Sequence, residues 1–328
     1  MKKVLLIGAT GQLGNNVLQK LATESRYYLR ALVREGSMNS QLFPGNIEIV
    51  TGDLTQPKSL EKAVTGCEAI IATANAVAPR KKTDSFQKVD IQGYRDLIDL
   101  AAKHNCAQFI YMSVLPFTGA NKKYTTWWPL GYAKAQTEDY LKKSGVPYTI
   151  FQSDGFMDIY FAFMGSSAMV QNTPAHLVNR PWKFMQQFYN GIKDDVANGK
   201  IGIIGNGLVK HAYIAVDNVA EFIVKAVDNP GLLNKTIQLG GPEALSAIEV
   251  KQHFEKVLNR ELRIKRTPAF LMKALGNLFS LFNPAIANIF KLNYLAATIG
   301  AEPDSRDLAE QLSVRLVTAE EFLRDKLK

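Results

Sequence analysis

An apolar strand, KVLLI (residues 3–7), runs directly into Gly8-Ala9-Thr10-Gly11-Gln12-Leu13-Gly14 and then into the amphipathic stretch NNVLQKLATE. Few sequences constrain a fold as tightly. Glycines let the backbone turn sharply and approach a pyrophosphate, whose charge rests against the unpaired N–H groups of a helix start. The loop, with Gly8, Gly11 and Gly14 at its corners and Thr10, Gln12 and Leu13 between them, reads as a nucleotide cradle opening a βαβ unit. Its G-x-x-G-x-x-G spacing departs by one residue from the commoner dinucleotide form.

The first half of the chain then alternates strand and helix. Strands are expected at YLRALV, NIEIV, EAIIAT, QFIYMS and PYTIF, with helices near Ser59–Val64, Phe86–His104 and Leu130–Ser144. This rhythm specifies an α/β fold, a doubly wound parallel (Rossmann) sheet, and near-continuous apolar strands fit a sheet covered on both faces. Ligands to such a sheet bind at the carboxyl edge of its strands, at the switch point.

The rhythm changes after about residue 155, which suggests a nucleotide-binding domain over 1–154 and a smaller α/β substrate lobe over 155–328. Segments from about 200 to 228 are expected to rejoin the large sheet. A helix is expected over residues 181–198, and Asp217 is placed as N-cap of the helix VAEFIVKAV. Ser246 and Glu249 have the spacing of a capping box for a helix over Ala247–Leu258. The stretch from Pro268 to Gly300 reads as helical, apolar and broken at Asn283-Pro284. A last helix after Thr318 carries Glu320 and Glu321 in its first turn and Lys326 and Lys328 at its end, matching the helix dipole.

Composition narrows the function classes. The net charge of +9 suits a polyanionic cofactor, but the clusters Lys2-Lys3, Arg80-Lys81-Lys82 and Lys122-Lys123 form no stripe interleaved with aromatics, so no nucleic-acid partner is expected. Cys67 and Cys106 are too few for a disulfide framework and read as reduced, buried thiols. His104, His176, His211 and His253 have no metal-type spacing. The apolar run after Lys2-Lys3 is too short for a signal peptide, and no stretch reaches the roughly 18 apolar residues of a spanning helix. The expectation is a cytoplasmic protein.

Arg34 stands twenty positions after Gly14, at the end of the second strand. An acidic residue there would hold a ribose 2′-hydroxyl, whereas arginine's planar fork pairs with a 2′-phosphate, which favours NADP(H) over NAD. Glu35 follows and weakens that inference.

GATGQLG, RALVR, TGDL (Thr51–Leu54), the run Ala72–Ala74, VDIQGYRDLIDLAAK (Val89–Lys103), FIYMSV (Phe109–Val114) and YAKAQTEDYLKKSGVPYTIF together resemble the NmrA-like branch of the atypical short-chain dehydrogenases. The resemblance continues through AYIAVDNVAEFIVKAV and covers most of the chain. It implies Asp53 and Leu54 at the adenine, Ala72, Thr73 and Ala74 beside the adenosine ribose, and Lys134 at the nicotinamide ribose, with Phe156 close to the cofactor.

Short-chain dehydrogenases commonly use a serine, and a tyrosine four residues before a lysine whose ammonium lowers the phenol's pKa. Ser113 and Lys134 are present here, but Leu130 stands in the tyrosine's place. Tyr132 falls on another side of the helix, while Tyr111 and Tyr124 are alternatives on a strand end and a loop. Three outcomes stay open: Lys134 organises proton transfer alone, another tyrosine substitutes, or there is no catalysis. A plainer role for Lys134 is an exposed i,i+4 pair with Glu138. Where the family often has Arg-Pro before a Phe-Met pair, this chain has Gln152-Ser153-Asp154-Gly155 before Phe156-Met157.

Two functions follow from these residues. One is an NADPH-dependent oxidoreductase passing hydride to a hydrophobic carbonyl or quinone-like acceptor near Ser113, Phe156 and Met157, with the run Phe156–Met164 walling an apolar pocket. The other is an NADP(H)-sensing regulator or assembly factor without turnover, presenting its C-terminal lobe to a protein partner. Epimerase or dehydratase action on a nucleotide sugar is weaker, since it relies on the missing tyrosine. Residues 269–300 read as packing over the substrate cleft, with contact to an anionic membrane as the alternative. Nothing in the sequence requires an oligomer.

Overall fold

The computed structural model describes residues 1–37, 43–77, 79, 81–171 and 194–328. In chain order the elements are β1 (Lys2–Ile7), α1 (Gln12–Ala22), β2 (Tyr27–Val33), β3 (Glu48–Thr51), α2 (Pro57–Val64), β4 (Ala69–Ala72), a π-helix (Phe86–Gly93), α3 (Tyr94–Lys103), β5 (Gln108–Val114), α4 (Tyr124–Trp127), α5 (Pro129–Lys143) and β6 (Tyr148–Ser153). They continue as α6 (Met157–Phe163), β7 (Lys200–Ile204), β8 (Lys210–His211), α7 (Val216–Ala226), β9 (Lys235–Leu239), β10 (Leu245–Ser246) and α8 (Ala247–Leu258). The last are β11 (Arg263–Thr267), α9 (Ala269–Phe279), α10 (Pro284–Thr298), α11 (Arg306–Leu312) and α12 (Ala319–Lys326).

These elements form two compact units, one built on Met1–Gln152 with Val219–Ile237, the other on Ser153–Gln171, 194–218 and Gln238–Lys328. The first holds a seven-stranded sheet in the order β3-β2-β1-β4-β5-β6-β9. β1 pairs in parallel with β2 on one side and β4 on the other. The chain therefore winds outward through β2 and β3, returns to β4, and winds outward again. That reversal beside β1 is the switch point, and it lies at the end of the glycine loop.

Sequence patterning explains the layers. Val4 through Ile7 are all buried because helices cover both faces of the central strand. Leu13, Val17, Leu18 and Leu21 fall at helical spacing on the buried side of α1, as Leu97, Ile98 and Ala101 do on α3. Buried Arg30 closes the end of α2: its Nη1 donates to the carbonyls of Ala63 at 2.7 Å and Thr65 at 2.8 Å, while Nη2 meets Glu48 at 2.9 Å. Cys67 and Cys106 are buried free thiols.

The expected doubly wound sheet is present, and four local expectations need correction. The helix foreseen over Phe86–His104 starts as a π-helix and becomes α-helical only at Tyr94. A Cβ at Gly93 would stand 2.7 Å from the Leu54 carbonyl, so the wide first half packs against the segment after β3. Residues 200–211 do not rejoin the large sheet: β7 pairs with β11 and β8 with β10, and the seventh strand is β9. The reason is apolar demand, since Ile201 and Ile203 of β7 face a separate cluster with Phe161, Tyr213, Phe254 and Phe322. α7 begins at Val216, whose N–H is taken by Asp158 at 2.9 Å, so Asp217 lies in the first turn rather than at the cap. The helix expected over 181–198 lies mostly outside the described residues, and residues 195–199 form turns.

The capping box expected at Ser246 with Glu249 forms, and Thr318 with Glu321 makes a second one that was not foreseen. Among the described residues no helix is long and apolar enough to cross a membrane.

Gln108 joins distant pieces of the first unit. Its buried amide donates to Thr149 at 3.2 Å and to the Ala226 carbonyl at 2.8 Å, and accepts from the Asp228 N–H at 3.1 Å. Gln108→Leu leaves those backbone groups without a partner and should lower unfolding free energy by about 2 kcal/mol in urea denaturation. An unchanged midpoint would show that solvent replaces the amide.

Candidate functional site

At the end of β1 the backbone of Gly8 takes φ +96°, a left-handed conformation that side chains resist. The Gly11 N–H donates back to the Gly8 carbonyl at 2.8 Å, closing the turn. A Cβ on Gly14 would lie 2.2 Å from that carbonyl, and one on Gly8 would lie 2.6 Å from the Thr73 hydroxyl. Both glycines are thus required by close packing. Thr73 donates twice to the Ile7 carbonyl, from its N–H at 3.0 Å and its hydroxyl at 3.1 Å, tying the end of β4 to the loop.

No side chain caps α1 at Gly11, and no acid occupies its first turn. The helix start therefore keeps its positive end for an anion. Thr10 and Gln12 are half-buried on this loop, whereas Leu13 turns its side chain into the core. Ala72 is strand interior, and Ala74 lies beside Gly8.

Arg34 is not a solvated charge. Its Nε pairs with Asp53 at 3.2 Å and its Nη1 with Asp84 at 2.8 Å. Nη2 makes no hydrogen bond to the described residues. Asp53 is itself fixed, accepting from the Thr55 N–H at 2.9 Å and hydroxyl at 3.0 Å, and Leu54 beside it is buried. Glu35 is exposed. Sequence reasoning missed Asp84, which sits fifty residues away at no diagnostic spacing.

Lys134 is buried, and the exposed pair with Glu138 does not form. Its Nζ donates to the Met112 carbonyl at 2.8 Å and lies over the Tyr111 ring, 4.5 Å from the centroid, with Tyr94 at 5.7 Å. Asp90, wholly buried on the π-helix, accepts from the Ala76 N–H at 2.8 Å. Tyr94 donates to the Ala74 carbonyl at 2.7 Å. A cluster of Asp90, Tyr94, Tyr111 and Lys134 thus stands behind the segment that follows β4.

Burial sets its electrostatics. Removal from water pulls Lys134 down to about 8, against the opposing pull of Asp90 and Glu138. The same cause raises Asp90 to about 6, with Lys134 resisting. Burial also holds Tyr111 well above the usual phenol range, so it is no base near neutral pH. Asp90 and Tyr94 escaped sequence reasoning, although an aspartate inside the apolar run VDIQGY is a readable signal.

Ser113 is close by, yet its hydroxyl donates to Glu138. The Gln152 amide donates to both oxygens of that carboxylate, at 3.0 and 2.9 Å, and Lys142 reaches it at 3.2 Å. Leu130 is buried, and Tyr132 is exposed on another side of α5. Tyr124 packs edge-on against Phe117 and Trp127.

In the second unit Phe156 precedes α6 and bridges to Ile214. Met157, Phe161, Ala162 and Met164 are core rather than pocket wall, while Phe163 is exposed. His211 there has a partner the sequence did not reveal: Nδ1 lies 3.1 Å from both Asp154 oxygens and Nε2 lies 2.8 Å from the Ala296 carbonyl. Acceptors on both nitrogens favour the protonated ring. Burial alone would lower its pKa, but Asp154 and the carbonyl raise it.

The chain is therefore a doubly wound α/β protein with a tight glycine turn and an uncapped helix start at its switch point and a buried lysine behind it. A family model described as the NmrA-like family matches residues 1–323, and the chain belongs to that family. The photosystem II assembly factor Ycf39 of Cyanophora paradoxa is 28% identical over 269 residues, 82% of this chain and 73% of that protein. An Arabidopsis thaliana protein named probable pinoresinol-lariciresinol reductase 3 is 23% identical, covering 98% of this chain and 96% of its own. The NADPH-dependent quinone oxidoreductase QOR2 of Escherichia coli, solved with NADPH, shares the fold with a TM-score of 0.70 and 19% identity over 99% of this chain and 100% of that one.

Lys134 ties the site to pH. Its folded pKa of about 8 lies below the ordinary 10.5, so between those values the unfolded chain binds more protons and stability rises with pH. Lys134→Met should remove that rise. Denaturant midpoints of both proteins measured from neutral to alkaline pH check this, and parallel curves would refute the assignment.

Proposed function

We propose that the chain binds NADPH and reduces a hydrophobic carbonyl or quinone-like acceptor. The supporting observation is the glycine cradle: Gly8 and Gly14 are stripped of side chains by close packing, and Gly11 opens an uncapped helix onto the same edge. Gly8, Gly11 and Gly14 with the start of α1 hold the pyrophosphate, and Thr73 and Ala74 wall the ribose. Arg34 offers its Nη2 to the 2′-phosphate, oriented by Asp53 and Asp84. NADPH supplies the hydride when bound. Lys134, shifted to about 8 by burial, holds and releases a proton at Nζ near physiological pH. QOR2, by its name, supports a quinone acceptor, and the Arabidopsis protein's name supports a reductase.

A second reading is a non-catalytic assembly factor that binds NADP(H). It is favoured by the Ser113 hydroxyl being engaged with Glu138 and by buried Leu130 in the tyrosine's place. Relatives named Ycf39 support it.

NADPH fluorescence titration followed by turnover on a panel of quinones and enones separates the two. Turnover that falls sharply in Lys134→Ala supports the reductase; tight binding with no turnover on any acceptor supports the assembly factor. Arg34→Ala should weaken NADPH about tenfold or more relative to NADH, the scale of one charged hydrogen bond. Equal losses for both cofactors would remove the 2′-phosphate from Arg34.

A further inference from the structure

We propose that the outer face of α9 and the turn that follows it dock on the surface of an anionic lipid bilayer. The inference does not depend on the cofactor reading, because it concerns a different surface.

α9 has two faces of unusual character. Its inner face packs on α10: a Cβ at Gly276 would stand 2.8 Å from the Lys291 side chain, and Phe279 stacks on Phe290 with centroids 5.5 Å apart. Its outer face carries Phe270, Ala274 and Leu278 at spacings of four residues, where a surface helix ordinarily places polar side chains. Phe270 is 72% exposed, and the stripe continues into Leu281 at 78% and Phe282 at 77%. Such a contiguous apolar patch marks an interaction surface.

The turn carrying Leu281 and Phe282 is ordered by its own hydrogen bonds. The N–H groups of Phe282 and Asn283 both reach the Phe279 carbonyl, at 3.0 and 2.7 Å. Asn283 then caps α10, its side-chain oxygen accepting from Ala285 and Ile286 at 3.2 Å. The exposed side chains sit on a fixed platform.

Charge selects the occupant. Residues 262–300 contain Arg263, Lys265, Arg266, Lys273 and Lys291 and not one aspartate or glutamate. All but Lys291 are exposed, and Lys200 stands opposite Arg263 in the β7–β11 register. The acids nearby are Asp195, which pairs with Lys265 at 3.3 Å, Glu255, which accepts from the Leu262 N–H at 2.7 Å and pairs with Lys251 at 2.6 Å, and Glu261 and Glu302 just outside the run. An isologous contact with a second copy would set these cations against each other. Exposed phenylalanine and leucine on a helix that carries Lys273 and no acid, and that follows the cations of β11, instead match a helix lying in the interface of an anionic membrane. The contact lies on the bilayer, since none of the described helices can cross it.

Co-sedimentation with vesicles of phosphatidylcholine alone, and of phosphatidylcholine with phosphatidylglycerol, tests this. The full chain should pellet with the phosphatidylglycerol vesicles, and the fraction bound should fall as salt rises. The double variant Leu281→Glu, Phe282→Glu should partition about tenfold less while melting at the same temperature, because both side chains are exposed. Arg263→Glu with Lys273→Glu should do the same. Wild type that ignores both vesicle types overturns the proposal and leaves the face to a protein partner. So does a tip variant that pellets like wild type, or light scattering showing a wild-type dimer that the tip variant dissolves.

Discussion

The packing of Gly14 and Thr73 against the turn at Gly8 is the contact on which the rest of the structure turns. Three backbones meet there with no room for a Cβ, and the meeting fixes the end of β1 to the end of β4. Because those two strands flank the reversal of winding, the same contact defines the crevice and aims α1 across it. α1 starts without a side-chain cap at Gly11 and so lacks the stability of one, about 1 kcal/mol.

Behind that crevice the protein buries a lysine and an aspartate that do not form a direct ion pair. Each has a backbone partner instead, Lys134 donating to the Met112 carbonyl and Asp90 Oδ2 accepting from the Ala76 N–H, while Asp90 Oδ1 has no partner among the described residues. Desolvation then drives both toward neutrality, and their mutual attraction limits the shift. The arrangement leaves Lys134 near its titration point in ordinary buffers. An exposed lysine four residues from a glutamate, the plainer alternative, would have no such property.

Much of this was legible in residue order. Continuous apolar strands, glycine spacing and the Ser246–Glu249 pair are local signals, and the sheet, the glycine turn and that capping box appear where they predict. What was not legible depends on contacts between distant residues. Asp84 reaches Arg34, Asp154 reaches His211 and Gln152 reaches Glu138 only because the topology folds them together. The misplacement of residues 200–211 has a related cause. IGIIG is a plausible strand for any sheet, and only the competing apolar cluster around Phe161 and Phe254 decides which one it joins.

The substitutions at the expected catalytic positions form one connected arrangement. Glu138 buries a carboxylate that needs donors, and it takes them from Ser113, Gln152 and Lys142. The neutral Gln152 amide spans both oxygens of the glutamate, and Lys142 supplies the one cation at that carboxylate among the described residues. Leu130, buried one turn before Lys134, leaves that position of α5 without a phenol, and the phenol rings beside the lysine are those of Tyr111 and Tyr94. Serine and lysine are thereby separated into different networks, the first ending in a carboxylate and the second in a backbone carbonyl. The Ser113 hydroxyl already gives its hydrogen to Glu138, while the Lys134 Nζ gives one to the Met112 carbonyl.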